Sequence, residues 1–237
     1  MNIINSVLGP LNTADMGSTL CHEHILNGPA GFSSTFPEFL DRSASLNRAI
    51  TDLTDAHREG ITTIIDPAPH DGGRDVKVQA EVSQKSGVNI IASSGTWLDV
   101  PRLFWDANPD EIASLYIREI EEGIDGTNIK AGILKVASDE GGVKPQEEVV
   151  LRAASRASNQ TGVPIITHTA VYDWTPDLIG KEQVRVFQEE GVDMNLVCIG
   201  HSNDSTKLNY LTELLENGVW LGMDRFPEWD SRVPTWQ

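Results

Sequence analysis

The sequence predicts an α/β protein, and within that class a (β/α)₈ TIM barrel cut short after its seventh strand, as one domain over residues 1–237. Three observations carry this expectation. First, β-rich runs alternate strictly with amphipathic stretches. The predicted strands are 18–24 (STLCHEH), 61–67 (ITTIIDP), 88–95 (VNIIASSG), 131–138 (AGILKVAS), 163–169 (VPIITHT), 195–202 (NLVCIGHS) and 218–224 (GVWLGMD). Between them the spacing predicts helices over 45–60, 75–87, 109–123, 145–162, 176–191 and 205–218. Gly60, Gly87, Gly123, Gly162, Gly191 and Gly218 stand where helix C-termini belong, and Pro109, Pro145 and Pro176 stand in first turns. Such alternation requires a parallel sheet with helical crossovers.

The second observation separates a barrel from an open doubly wound sheet. An open sheet often carries a glycine-rich phosphate loop after its first strand. Here that strand runs into HEHILNG, with neither GxGxxG nor GxxxxGK(S/T). Third, polar residues gather at the C-terminal ends of many strands: His22, His24, Asp66, Lys135, His168, His201 and Asp224. In a barrel all such ends converge on one mouth, where catalytic residues come from different strands.

Composition narrows the function classes. The hydrophobic fraction of 39% and charged fraction of 22% are ordinary for a globular chain. The net charge of −17 argues against nucleic acid and against an anionic membrane surface as partners. Cys21 and Cys198 lie in apolar strand-like runs without a CxxC, which predicts buried free thiols in a reducing compartment. The N-terminal MNIINSVLGPL is not a signal sequence, and no apolar run approaches the roughly 20 residues that span a bilayer. The expected location is the cytoplasm.

Four of the six histidines sit at three predicted strand ends. On a strand, residues two apart share a face, so His22 and His24 project together and Glu23 projects away. Paired imidazoles suit a divalent metal. His57, near a helix end, and His70, in the loop APHDGG, are expected to be structural or exposed. Lys135 interrupts an otherwise apolar strand, with Ala131 and Ile133 on its own face. A buried ammonium is costly, so it must be neutralised, paired or chemically changed. Pairing with Asp66 or Asp139 is one solution; addition of carbon dioxide to give a carbamate is another.

These residues, taken in order, resemble the phosphotriesterase-like branch (phosphotriesterase-related proteins and lactonases) of the amidohydrolase superfamily. The resemblance starts at VLGPL (7–11) and passes through the HxH of His22 and His24. It continues through GITTIIDPAPHDGGRD (60–75), GVNIIASSGTW (87–97), GILKVASDEG (132–141), IITHT (165–169), CIGHSND (198–204) and GMDRF (222–226). It implies a barrel with two divalent metal ions, zinc first and iron, cobalt or manganese as alternatives. By position it implies that His22 and His24 bind the more buried ion, that Lys135, carboxylated by CO2, bridges both, and that His168 and His201 bind the more exposed ion. Arg225 matches an arginine of lactonase-type members, which makes it and Lys135 the candidate catalytic residues. Trp97, where such members carry a tyrosine, and Phe226 are the candidate substrate-pocket residues. Cys21 stands where threonine is usual, a small buried exchange.

The chemistry implied is attack on a carbonyl carbon or phosphorus by a hydroxide bridging the two ions. Trp97, Arg225, Phe226 and Trp229 favour a lactone or similar neutral ester, with phosphotriesters as a side activity. The expected partner is therefore a small-molecule ester; a homodimer is compatible with this class. The family also uses a carboxylate from an eighth strand, and that strand is missing before the chain reaches 224-DRFPEWDSRVPTWQ-237. This predicts a piece of a longer protein, or closure by a partner. The alternative function is an impaired fragment or binding protein that keeps the barrel and part of the metal site.

Overall fold

The computed structural model describes residues 3–225 apart from Leu40 and Asp177. The chain forms two compact units, one within Met1–Ser94 and Arg118–Ile133, the other within Gly95–Ile117 and Leu134–Gln237.

The first unit opens with an antiparallel hairpin, β1 (Ile3–Ser6) and β2 (Gly9–Asn12), that strand periodicity did not predict. Its strands are only four residues long, too short for an alternation signal. The hairpin is tied down from inside: Asn5 Nδ2 donates to the Ala131 carbonyl at 2.9 Å, and the Val7 amide donates to the Ile90 carbonyl at 2.9 Å. Three parallel strands follow, β3 (Ser18–Leu20), β4 (Ile61–Asp66) and β5 (Asn89–Gly95), hydrogen-bonded in chain order. Between β3 and β4 lie a short α1 (Phe32–Thr35) and the long α2 (Arg42–Arg58); α3 (Val76–Ser86) precedes β5. Asp41 and Asp75 cap α2 and α3, accepting from the amides of Ala44 (2.9 Å) and Val78 (3.0 Å) that a helix N-terminus leaves unpaired. The chain of α4 (Pro109–Glu121) passes from the second unit into the first.

In the second unit β6 (Ile133–Ala137), β7 (Ile165–His168), β8 (Val197–Ile199) and β9 (Trp220–Leu221) are again parallel and in chain order. They alternate with α5 (Pro145–Thr161), α6 (Ile179–Glu189) and α7 (Leu208–Glu216). β6 and β7 are buried throughout, as parallel strands covered on both faces must be. On α6 the buried residues Ile179, Gln183, Val186 and Phe187 recur at helical spacing. Outside, Arg152 of α5 bonds Glu148, Glu189 and Glu190, clamping α5 to α6.

The fold is therefore α/β, with seven parallel strands among the described residues, each joined to the next by a helical crossover. Neither unit reverses its strand order. A doubly wound sheet needs a reversal and a barrel does not, so this is the topology of a TIM barrel without its eighth strand among the described residues.

Predicted and observed boundaries differ in two informative places. β3 stops at Leu20, so Cys21, His22 and His24 lie beyond the strand and Cys21 is exposed, not buried. Cys198 is half-buried on β8. Helix α6 begins at Ile179, leaving Pro176 outside its first turn, because the preceding residues close a turn of their own: the Thr175 amide donates to the Tyr172 carbonyl at 3.0 Å.

Candidate metal centre

In the first unit the chain bends at Cys21 and His22 after β3, and the Glu23 amide then donates to the Ile65 carbonyl at 3.0 Å. His22 and His24 end with ring centroids 5.4 Å apart and planes at 79°. His22 is buried and His24 is not. His24 is steered by Asp66 at the end of β4, whose Oδ1 lies 3.3 Å from His24 Nδ1. Asp66 is itself fully buried. It accepts from the Ala68 amide (3.0 Å), the Ile25 amide (3.1 Å) and Gln79 Nε2 (2.7 Å). Those donors fix the carboxylate, and with Nδ1 engaged by it, Nε2 is the His24 ring nitrogen left for another partner.

The second unit carries the other candidates. Lys135 is central on β6 and 1% exposed; its Nζ donates to the Thr167 carbonyl at 3.2 Å. Burial drives its pKa down to about 7, partly opposed by Asp224 and Cys198 and assisted by Arg225. A large fraction of the amine is then neutral near neutral pH. Gly95 backs this lysine: the Thr96 amide donates to the Lys135 carbonyl at 3.0 Å, and a Cβ on Gly95 would run into that carbonyl.

His168 closes β7 in register with Ala137 of β6, two residues after Lys135. Its backbone carbonyl is held by Gln183 Nε2 at 3.0 Å, and the Trp97 ring meets its imidazole edge-on at 5.8 Å. His201 follows β8 with its ring 4.7 Å from that of His168. It adopts φ 58°, a left-handed conformation that costs a residue with a side chain and persists where the surroundings impose it. The imposing group is Asp224, after β9. Its Oδ1 lies 2.8 Å from His201 Nδ1 and accepts the His201 backbone amide at 3.0 Å. Burial lowers the His201 pKa to about 4 against the opposing pull of Asp224, so the ring is neutral at physiological pH and can offer a lone pair.

Arg225 is anchored: Nη1 meets Asp204 Oδ2 at 2.5 Å, and its backbone carbonyl accepts from Asn203 Nδ2 at 2.9 Å. Phe226 and Trp229 lie outside the described residues. His57 sits at the end of α2 with Nδ1 3.1 Å from the Ile61 carbonyl, a helix-end role. The feature that sequence reasoning missed is the left-handed turn at His201; only its pairing with Asp224 identifies it.

The donor set fits divalent metal. Two imidazoles each have Nδ1 committed to a carboxylate, and a dry lysine lies among the second unit's histidines. Among the described residues no helix is long and apolar enough to cross a membrane.

Comparison with known proteins agrees with this chemistry. The phosphotriesterase family model matches residues 2–234. A phosphotriesterase homology protein of Mycobacterium tuberculosis is 40% identical over 233 residues, covering 94% of this chain and 70% of that protein. An aryldialkylphosphatase of Saccharolobus solfataricus is 36% identical over 218 residues, covering 91% of this chain and 68% of the relative. An N-acetyltaurine hydrolase of Xenopus tropicalis is 25% identical over 256 residues, covering 94% and 71%. A fold of parallel strands in chain order, histidines at the strand ends and a match along almost the whole chain together place this protein in the phosphotriesterase family, a family of hydrolases.

Proposed function

We propose that this chain is a metal-dependent hydrolase of carboxylic esters, lactones foremost, with phosphotriesters as side substrates. His22 and His24 would hold one divalent ion, zinc by preference, and His168 and His201 another, with Lys135 carboxylated to an oxygen donor. The observation that carries this reading is Lys135, a fully buried lysine whose amine is driven toward the neutral form. A neutral amine attacks carbon dioxide: an N–C bond forms, one C=O π bond opens to a C–O⁻, one N–H proton leaves to solvent, and a neutral amine becomes an anionic oxygen donor. Two divalent ions would supply Lewis acidity to the substrate oxygen and acidify water near neutral pH.

The chain's own residues then have separable tasks. Asp66 and Asp224 orient the imidazoles and hold each Nδ1. Desolvation keeps His201 neutral, so metal does not compete with a proton there. Arg225, pinned on Asp204, presents a fixed cation beside the site, where it favours developing negative charge on a carbonyl oxygen. Trp97, edge-on to His168, supplies an apolar wall. Support for hydrolysis comes from relatives named as an aryldialkylphosphatase and an N-acetyltaurine hydrolase.

The test is metal content per folded chain by elemental analysis, followed by assay of lactones, aryl esters, amides and phosphotriesters. About two ions per chain with lactone or ester turnover is the expected result. Phosphotriester hydrolysis far above any lactone would reverse the order of substrates. Folded protein without bound metal would overturn the site.

A further inference from the structure

The turn that carries His201 is held in two ways. On its flanks the bonds run from backbone to backbone. The Gly222 amide, just past β9, donates to the Ile199 carbonyl at 2.8 Å, and the Gly222 carbonyl accepts the Ser202 amide at 2.8 Å. Between these flanks the Gly200–His201 peptide plane is gripped by side chains. Thr169 Oγ1 donates to the Gly200 carbonyl at 2.8 Å, and the His201 amide of the same plane donates to Asp224 Oδ1 at 3.0 Å. On the other side of Gly200, its own amide donates to Thr167 Oγ1 at 3.3 Å. Thr167 and Thr169 are both buried, and they flank His168 in the chain.

A peptide unit is planar, so holding its oxygen and its N–H holds the whole plane. The orientation of the plane between Gly200 and His201 sets φ of His201, which is 58°. A residue with a side chain relaxes from there to negative φ when nothing prevents it, and the plane turns as it does so. One bond leaves the plane free to rock about that bond; two bonds on opposite edges do not. Gly200 permits the close approach, since a Cβ there would run into the Thr167 carbonyl. The residues on both sides of His168 thus hold the residue before His201, and the two imidazole rings stand 4.7 Å apart.

We propose that Thr169 is a positioning residue for metal binding: with Asp224 it clamps the Gly200–His201 plane, so that His168 and His201 meet a divalent ion as one preset pair. The inference rests on the metal-dependent reading of these histidines and deepens it, since it assigns their mutual geometry to a hydroxyl that acts through the backbone. A preset pair gives up less freedom when the ion arrives, and the affinity is higher by that amount.

The test uses the full chain, stripped of metal, with zinc as the probe and a chelating dye as competitor. Thr169→Val keeps the shape and removes the hydroxyl. Zinc affinity is expected to fall roughly 10-fold, and Thr169→Ser, which restores the hydroxyl, is expected to return it to within about twofold. Thr167→Val removes the longer bond on the other side of Gly200 and should cost about threefold. Ser155→Ala is the control. It removes a buried hydroxyl that bonds the Leu151 carbonyl within α5, and should leave zinc affinity unchanged. Hydrogen exchange of the His201 amide, read without metal, should quicken about tenfold or more in Thr169→Val while the amides of β7 keep their protection. Unaltered zinc affinity in Thr169→Val, an equal loss in Ser155→Ala, or a loss that Thr169→Ser does not restore overturns the positioning role and leaves the metal reading standing. Should Thr169→Val not fold, unaltered affinity in Thr167→Val overturns it. No zinc on the unmodified protein overturns the metal reading. Exchange then decides the clamp: quickened His201 exchange in Thr169→Val keeps it as a backbone device, and unchanged exchange overturns it too.

Discussion

Asp224 grips His201 at two points, at 2.8 Å from the imidazole Nδ1 and at 3.0 Å through the backbone amide. The second bond holds the left-handed backbone that aims the ring, and the first selects Nε2 as the atom left for a ligand. Replacing Asp224 by Asn keeps the volume and loses the charge. Zinc affinity, measured by competition with a chelating dye, is expected to fall roughly 10- to 100-fold while the fold survives. An unaltered affinity would leave Asp224 as scaffolding for the turn alone.

Lys135 gives two opposed predictions. Lys135→Met should abolish binding of both ions, and the unmodified protein given labelled bicarbonate should show a carbamate carbon by NMR that the variant lacks. In the metal-free state the same change should stabilise the fold, because an expensive buried ammonium is removed. The folded-state pKa of about 7 lies below the ordinary 10.5. Between those values the unfolded chain carries the extra proton. Metal-free protein is therefore expected to gain stability as pH rises through that window, and to lose it as pH falls toward 7. Urea unfolding at a series of pH values reads the slope, and Lys135→Met should flatten it.

Arg74 and Glu119 form a bidentate pair, at 2.9 and 2.7 Å, that ties the segment before α3 to the end of α4. Ser94 Oγ donates to the same carboxylate at 2.6 Å. Burial alone would raise the Glu119 pKa, but Arg74 and Ser94 outweigh it and hold the carboxyl below its ordinary range. Its contribution is present above the unfolded value of 4.5 and lost as pH falls through the lower folded value. Glu119→Gln should cost about 3 kcal/mol, since it leaves the buried Arg74 guanidinium with the more distant and exposed Asp125 carboxylate, 3.9 Å away, in place of its bidentate partner. The acid limb of the stability profile should flatten with it; an unchanged limb would show that other carboxylates govern acid unfolding.

Gly95 has φ 111° and no room for a Cβ against the Lys135 carbonyl. Gly95→Ala is expected to destabilise by about 2 kcal/mol or more through backbone strain, and to lower metal affinity by shifting β6. Thermal unfolding and metal titration on one preparation separate the two effects. Full metal affinity despite lower stability would mean that Lys135 tolerates the displacement.

Most of the secondary structure was legible because it is a local matter. The α3 and α5 boundaries follow from capping aspartate, first-turn proline and terminal glycine, all near neighbours in sequence. The alternation of strand and helix, with no phosphate loop after the first strand, was enough to choose the parallel barrel class. The candidate histidines and Lys135 were legible too, since an isolated ammonium in an apolar strand and imidazoles at strand ends each carry a local cost that asks for an explanation.

Tertiary structure decided what the local pattern could not hold. Cys21 looked buried by its apolar neighbours, but the β3 ladder ends one residue earlier and leaves it exposed. Pro176 looked like a helix start, but the turn closed by Tyr172 and Thr175 delays α6 to Ile179. Lys135 had Asp66 and Asp139 as sequence candidates for a partner, whereas Asp224 is the carboxylate whose field opposes its neutralisation. The pairings His24–Asp66 and His201–Asp224 span 42 and 23 residues. Sequence by itself determined the order of the seven parallel strands, the long helices between them and the candidate ligands, because those depend on period and local cost. Which nitrogen each histidine offers, and whether a buried amine is charged, depend on groups far apart in the chain that only packing brings within hydrogen-bond range.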